Sequence, residues 1–147
     1  LIEVYTDGSC LGNPGKGGWA FLILNKGVII NHFGYQTDTT NNQMELTATI
    51  KALEYIKEND DITIFTDSSY VKNGITSWII NWKKNNWKNS QKKVVKNKDL
   101  WIKLDILNSQ KKIIWKWVKA HDINEYNNKV DLLAREAAEK LIKSSFN

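Results

Sequence analysis

Four acidic side chains stand apart from the rest of this 147-residue chain: Asp7, Glu45, Asp67 and Asp131. Asp7 and Asp67 each close a short β-rich run, Leu1–Asp7 and Ile62–Asp67. Glu45 and Asp131 are expected in the first turns of two amphipathic helices. Carboxylates brought together repel one another, and such a cluster is stable mainly when a cation neutralises it. Donors that are all oxygen favour a hard ion, Mg²⁺ or Mn²⁺, over zinc. Cys10, His32 and His121 are too few for a convincing zinc site. Taken one at a time, each acid has a plainer explanation: Asp7 and Asp67 as turn or helix caps, and Asp131 as a charge that favours a helix N-terminus. Their joint placement is what points to metal-assisted chemistry.

That placement depends on the elements between them. Ile2 and Val4 alternate along the first strand, and a Gly-rich loop, Gly8–Gly18, follows. Strands are expected at Trp19–Leu24 and Val28–Thr37, joined by the turn residues Asn25-Lys26-Gly27. A helix capped near Thr40–Asn42 carries Leu46, Ile50, Leu53 and Ile56 at helical spacing. A fourth strand, Ile62–Thr66, leads to a short helix, Ser68–Gly74, that Gly74 is placed to end. Further helix is expected around Trp78–Trp82 and Leu100–Leu107, then a strand Ile113–Val118, a polar loop Lys119–Asn128 and a last helix. The order implies an α/β fold: a mixed five-stranded sheet, three antiparallel strands then two parallel, with helices on both faces. If the first and fourth strands are parallel neighbours, Asp7 and Asp67 meet at their carboxyl ends, where open α/β sheets bind ligands.

The net charge is +5. It is unevenly spread. No acid falls between Asp67 and Asp99, a stretch holding eight lysines and Trp78, Trp82 and Trp87. This is either a solvated lysine-rich surface over buried tryptophans or a groove that neutralises phosphates and stacks on sugars and bases. Trp101, Trp115 and Trp117 fit the core by strand and helix pattern. The parse is one domain, residues 1–147, without repeat or linker. No run is long enough to span a bilayer, the start reads as a strand with no signal peptide, and the single cysteine suits a reducing, cytoplasmic setting.

Read as words, the segments are specific: Tyr5-Thr6-Asp7-Gly8-Ser9-Cys10, Gly12-Asn13-Pro14-Gly15, Thr40-Asn41-Asn42-Gln43-Met44-Glu45-Leu46, Thr66-Asp67-Ser68-Ser69-Tyr70-Val71, Asn81-Trp82-Lys83-Lys84, Trp117-Val118-Lys119-Ala120-His121 and Asp131-Leu132-Leu133-Ala134. In order and spacing they resemble the type 1 ribonuclease H family in its bacterial-like form, from about Leu1 to Ala138. The resemblance implies an endonuclease that hydrolyses the RNA strand of RNA–DNA hybrids with two Mg²⁺ ions, Mn²⁺ being an alternative, and leaves 5′-phosphate and 3′-hydroxyl ends.

It also implies residue roles. Asp7, Glu45, Asp67 and Asp131 would hold the ions, with Asp7 bridging and Asp131 on the side of the attacking water. His121 would serve proton transfer or product release. Gly8, Ser9, Cys10, Asn13, Asn41, Asn42 and Ser69 would meet the RNA strand. Trp78 and Trp82 would line the DNA groove. Thr40, Asn13 and Asn97 would hold one DNA phosphate, and Lys84, Trp87 and Lys88 would belong to a basic protrusion. Asp38, Ser69, Ala120 and the glycine-free Asp122-Ile123-Asn124 depart from the family pattern. The expected partner is the hybrid, with a monomer, no obligate protein partner and no membrane. Two rivals stand beside this reading: a catalytically silent hybrid-binding module, and the nuclease domain of a larger reverse-transcriptase-like protein.

Overall fold

The structure is a computed structural model that describes residues 1–57, 59–119 and 124–144. Five strands, β1 (Ile2–Leu11), β2 (Gly15–Asn25), β3 (Val28–Thr39), β4 (Ile62–Thr66) and β5 (Ile113–Trp117), form one sheet in the order β3-β2-β1-β4-β5. The first three pair antiparallel, and β4 and β5 run parallel to β1. Among the described residues five α-helices accompany them: α1 (Asn41–Tyr55), α2 (Ser69–Asn73), α3 (Ile79–Lys84), α4 (Lys98–Ser109) and α5 (Glu125–Lys140). The expected mixed sheet is therefore present.

Alternation along the strands builds a core on each face. Val4, Phe21 and Ile64 point towards α1 and α4, where Leu46, Leu53, Trp101 and Leu104 are buried with them. Tyr5, Ala20 and Leu22 point the other way, onto Val130 and Ala134 of α5. A period of two in the strands thus supplies apolar surface to both helical layers. At the tip of the β2–β3 hairpin, Lys26 and Gly27 both have positive φ, the geometry of a two-residue turn that follows the strands' twist.

Several expectations change in detail. The Gly8–Gly18 stretch is mostly strand: β1 runs on to Leu11 and β2 begins at Gly15, leaving a turn of three residues. Asp7 therefore does not end its strand. It marks where β1 leaves β4 and continues beside β2 alone, since the parallel register stops at Thr6↔Thr66. Gly74 does not stop a helix. It is αR and opens a π-helical turn, Gly74–Trp78, that joins α2 to α3. Its missing side chain has a packing reason, because a Cβ there would strike the Trp101 ring. Trp117 is not core; it is 49% exposed, whereas Trp101 is fully buried and Trp115 half-buried.

Gly18 shows how closely α5 sits on the sheet. A Cβ there would collide with the Ala134 carbonyl oxygen and lie 2.7 Å from the Ala138 nitrogen. Backbone cannot yield as a flexible side chain does. Gly18→Ala is expected to cost about 1–3 kcal/mol, in the range of overpacked cores. Urea unfolding checks this; a midpoint equal to wild type would show that α5 can lift without penalty.

Candidate active site

The site forms where the two parallel strands β1 and β4 end. Asp7 and Asp67 each follow one residue after the last register pair, Thr6↔Thr66, so their backbones lie side by side. The chain leaves Asp67 sharply. Ser68 caps α2 by accepting from the Val71 N–H at 3.1 Å, and its own N–H donates to Thr66 Oγ1 at 3.1 Å. The Trp117 indole N–H donates to the Asp67 carbonyl at 3.2 Å, so this exposed tryptophan steadies the turn.

Glu45 arrives from the opposite layer. Thr40 caps α1 by accepting from the Gln43 N–H, and Glu45 is the fifth helical residue, just past the first turn in which it was expected. The approach needs Gly8: a Cβ on that residue would run into the Met44–Glu45 backbone. The same closeness lets the Gly8 N–H donate to Glu45 Oε1 at 2.9 Å. Asp131 is also further along its helix than expected. Asn124 caps α5, accepting from the N–H groups of Tyr126 and Asn127, so Asp131 is the seventh helical residue and no longer at an N-terminus. The helix-cap explanation for Asp131 is thereby removed.

Asp7, Glu45 and Asp67 each present a carboxylate oxygen, all three within 4.8 Å of one another. Asp7 is 3% exposed and Glu45 5%. Burial first, then the charges of Glu45 and Asp67, push the Asp7 carboxyl far above the ordinary carboxylate range. Glu45 is also raised, by burial first, although contact with Asp7 and the Gly8 N–H oppose this. Asp7 lies within hydrogen-bonding reach of both Glu45 and Asp131. Glu45 Oε2 is buried with no hydrogen-bond donor among the described residues. With Asp7 ionised, a buried acceptor that no donor among the described residues reaches, inside three converging carboxylates, is the environment a divalent cation satisfies. The residues present therefore fit such an ion.

Above the cluster is an open pocket of about 390 Å³, lined by Asp7, Gly8, Ser9, Asn41, Asn42, Glu45, Asp67, Ser68, Ser69, Tyr70, Asp131 and Arg135. Most of the residues expected near the RNA strand line it. Cys10 does not; its thiol donates to the carbonyls of Gly15 and Thr39, at 3.6 and 3.4 Å, tying strand ends together. Asn13 accepts from the Asn41 N–H at 3.0 Å, which joins the β1–β2 turn to the start of α1. Trp78, Trp82 and Lys88 line a separate hollow of about 330 Å³ with Asn81, Asn85, Asn89 and Ser90. Trp82 and Trp87 also pack against the main core. Lys84 is exposed at the end of α3. His121 lies outside the described residues.

Arg135 was not foreseen from the sequence. Its guanidinium lies 3.4 Å from Asp131, one helical turn earlier, and among the described residues it is the one basic side chain lining the pocket. The i,i+4 spacing from an acid already singled out was the available signal.

Comparison with known proteins places this geometry. The RNase H family description matches residues 1–139. The chain belongs to the ribonuclease H family. Ribonuclease H of Francisella tularensis subsp. novicida is 52% identical over 141 residues, covering 96% of this chain and 93% of that protein. Ribonuclease H of a Wolbachia strain from Drosophila simulans is 53% identical over 136 residues, 92% and 94% of the two chains. Among solved structures, LC9-RNase H1, a type 1 RNase H with the type 2 active-site motif, superposes with a TM-score of 0.85 at 29% identity, over 97% of this chain and 74% of that one. As a ribonuclease H the chain is an enzyme, and the acidic pocket lies at the carboxyl ends of β1 and β4, the parallel strands at the middle of the sheet. No helix among the described residues is long and apolar enough to cross a membrane.

The raised carboxyls have a consequence for stability. With their pKa values higher in the fold than in the unfolded chain, the folded state binds more protons, so metal-free stability falls as pH rises. The loss begins near pH 4, where unfolded carboxyls titrate, and continues through neutrality. Asp7→Asn removes the repulsion and is expected to stabilise the metal-free protein at pH 8 by about 1–4 kcal/mol. The gain should shrink towards pH 4. Thermal unfolding at both pH values checks this; a destabilised variant at pH 8 would refute the strain assigned to the cluster.

Proposed function

We propose that this chain hydrolyses the RNA strand of RNA–DNA hybrids with two divalent ions, Mg²⁺ or Mn²⁺, leaving 5′-phosphate and 3′-hydroxyl ends. The observation that carries the reading is the convergence of Asp7, Glu45 and Asp67, with Glu45 Oε2 buried and unmatched among the described residues. Family membership adds the substrate class.

Asp7, Glu45, Asp67 and Asp131 are the residues that would hold the ions. Bound there, they would supply Lewis acidity towards the attacking water and the departing 3′-oxygen. The protein's own contribution is preorganisation. The Gly8 N–H fixes one oxygen of Glu45 and leaves the other turned inward. The β1–β4 register fixes the spacing of Asp7 and Asp67. Asp131 is held at the pocket's side by Arg135. By the resemblance, His121 serves proton transfer or product release.

Substrate recognition follows from what surrounds the acids. Hydroxyls of Ser9 and Ser69 and amides of Asn41 and Asn42 line the pocket and can both donate to and accept from a ribose 2′-OH. That group distinguishes RNA from DNA and is displayed in the minor groove. Trp78, Trp82 and Lys88 line a hollow in which the DNA strand would lie; Lys84 and Trp87 belong to the same basic segment. Asn13, Thr40 and Asn97 are assigned to one DNA phosphate, and Cys10 braces the strand ends beneath.

Labelled hybrid, single-stranded RNA, double-stranded RNA and DNA, each incubated with Mg²⁺, test the reading. Loss of RNA from the hybrid alone is expected, with Asp7→Asn binding the hybrid but not cutting it. An intact hybrid with a well-folded wild-type protein would contradict the proposal, and equal behaviour of wild type and variant would favour a silent binding module.

Arg135 gives a second test. Its positive charge competes for Asp131 with any incoming cation. Arg135→Gln is expected to tighten Mg²⁺ binding by about two- to fivefold, as removal of an exposed ion pair allows. Calorimetry without substrate measures this; weaker Mg²⁺ binding in the variant would show that Arg135 supports the ion site.

A further inference from the structure

Beside the acidic pocket is a relay of side chains, of which the proposed function uses only Asn97. Thr39 Oγ1 donates to Gln43 Oε1 at 2.8 Å. Gln43 Nε2 donates to Asn97 Oδ1 at 3.2 Å. Asn97 Nδ2 donates to the Tyr70 hydroxyl at 3.1 Å, and the Trp101 indole N–H donates to the same hydroxyl at 3.0 Å. The last link is rigid, since Trp101 is fully buried and its ring packs on Tyr70 with centroids 5.2 Å apart.

Asn97 is an unusual residue to hold so firmly. It sits at the start of α4 with φ 61°, in the left-handed region, and its side chain makes no capping bond. Asparagine tolerates that backbone better than most residues. The side chain instead spans sideways, with its oxygen taken by Gln43 and one amide hydrogen by Tyr70. An amide has two N–H donors, so one remains. Gln43, Asn97 and Lys98 line a hollow of about 380 Å³, while Tyr70 lines the acidic pocket. A single phenol thus borders the acids on one side and fixes a donor beside the second hollow on the other.

We propose that Tyr70 and Gln43 are positioning residues that lock the Asn97 amide, turning its remaining N–H towards a DNA phosphate and fixing the span between that phosphate and the acidic cluster. The inference rests on the assignment of Asn97 to the DNA strand. Gln43 prevents the amide from flipping, because a flipped Asn97 would set its nitrogen against Gln43 Nε2. The relay also joins α1, which carries Glu45, to α4 and to the segment after Asp67. Anchor and acids therefore move as one body.

A double-mutant cycle tests this, read as the Kd of a fluorescent RNA–DNA hybrid in an Asp7→Asn background so that nothing is cut. Tyr70→Phe keeps the ring and removes the shared acceptor. It is expected to weaken binding roughly three- to tenfold, as loss of a buried hydrogen bond allows. Asn97→Ala should weaken binding at least as much. Adding Tyr70→Phe to Asn97→Ala should change Kd by less than about twofold, because the tyrosine acts through the asparagine. Gln43→Leu breaks the lock from its other end and should behave alike, which keeps the test valid if Tyr70→Phe folds poorly. Additive losses would show a merely structural tyrosine and overturn the proposal, as would an Asn97→Ala protein that binds like its parent. Hybrid left uncut by the wild-type protein would instead count against the nuclease reading, while this cycle, read by binding alone, would still report on the relay.

Discussion

Carboxylates forced together away from water are the constraint around which this molecule is arranged. Asp7 and Glu45 are nearly inaccessible, Asp67 is half-buried beside them, and all three reach within 4.8 Å. Coulomb repulsion and lost hydration both oppose this. The fold must hold the acids in place by other means: a sheet with apolar side chains on both faces, a helix on one side close enough to touch Gly8, and a helix on the other close enough to touch Gly18. Each of those contacts uses a glycine where any side chain would collide with backbone. The strain has a use, since an unmet demand for positive charge is what makes a site select a divalent ion.

The arrangement divides labour between rigid and exposed parts. Parallel pairing of β1 and β4 sets the acids' spacing without relying on loops. The rim is more open: short polar side chains line the acidic pocket, and a tryptophan- and lysine-bearing segment lies further out. The buried Trp101 links the two, through Gly74 beneath it and the Tyr70 hydroxyl above. Site and rim are thereby packed on one core, which is how groups far apart in sequence keep a fixed separation.

Much of this was legible in the residues. Strand alternation and the helical spacing of Leu46, Ile50 and Leu53 gave the element order and the mixed sheet, because each pattern has a definite period. What escaped was set by tertiary contact. Glycines at 8, 15, 17 and 18 look like a loop, yet they are strand residues kept small because α1, α5 or another strand presses on them. Gly74 looked like a helix stop and is a socket for an indole. Trp117 alternates like a core residue but belongs to the edge strand β5, with one side open to solvent. Asp131 was placed at a helix start because Asn124, the true cap, stood inside what read as a polar loop. The convergence of the acids was foreseeable only once β1 and β4 were taken as parallel neighbours.

Crystals of the protein soaked in Mn²⁺ and measured at the manganese absorption edge test the account at its centre. Anomalous density between the carboxylates of Asp7, Glu45 and Asp67, with Glu45 Oε2 among the ligands, is the expected result. Saturating Mn²⁺ that leaves no density there, with the three side chains turned to separate partners, would contradict it.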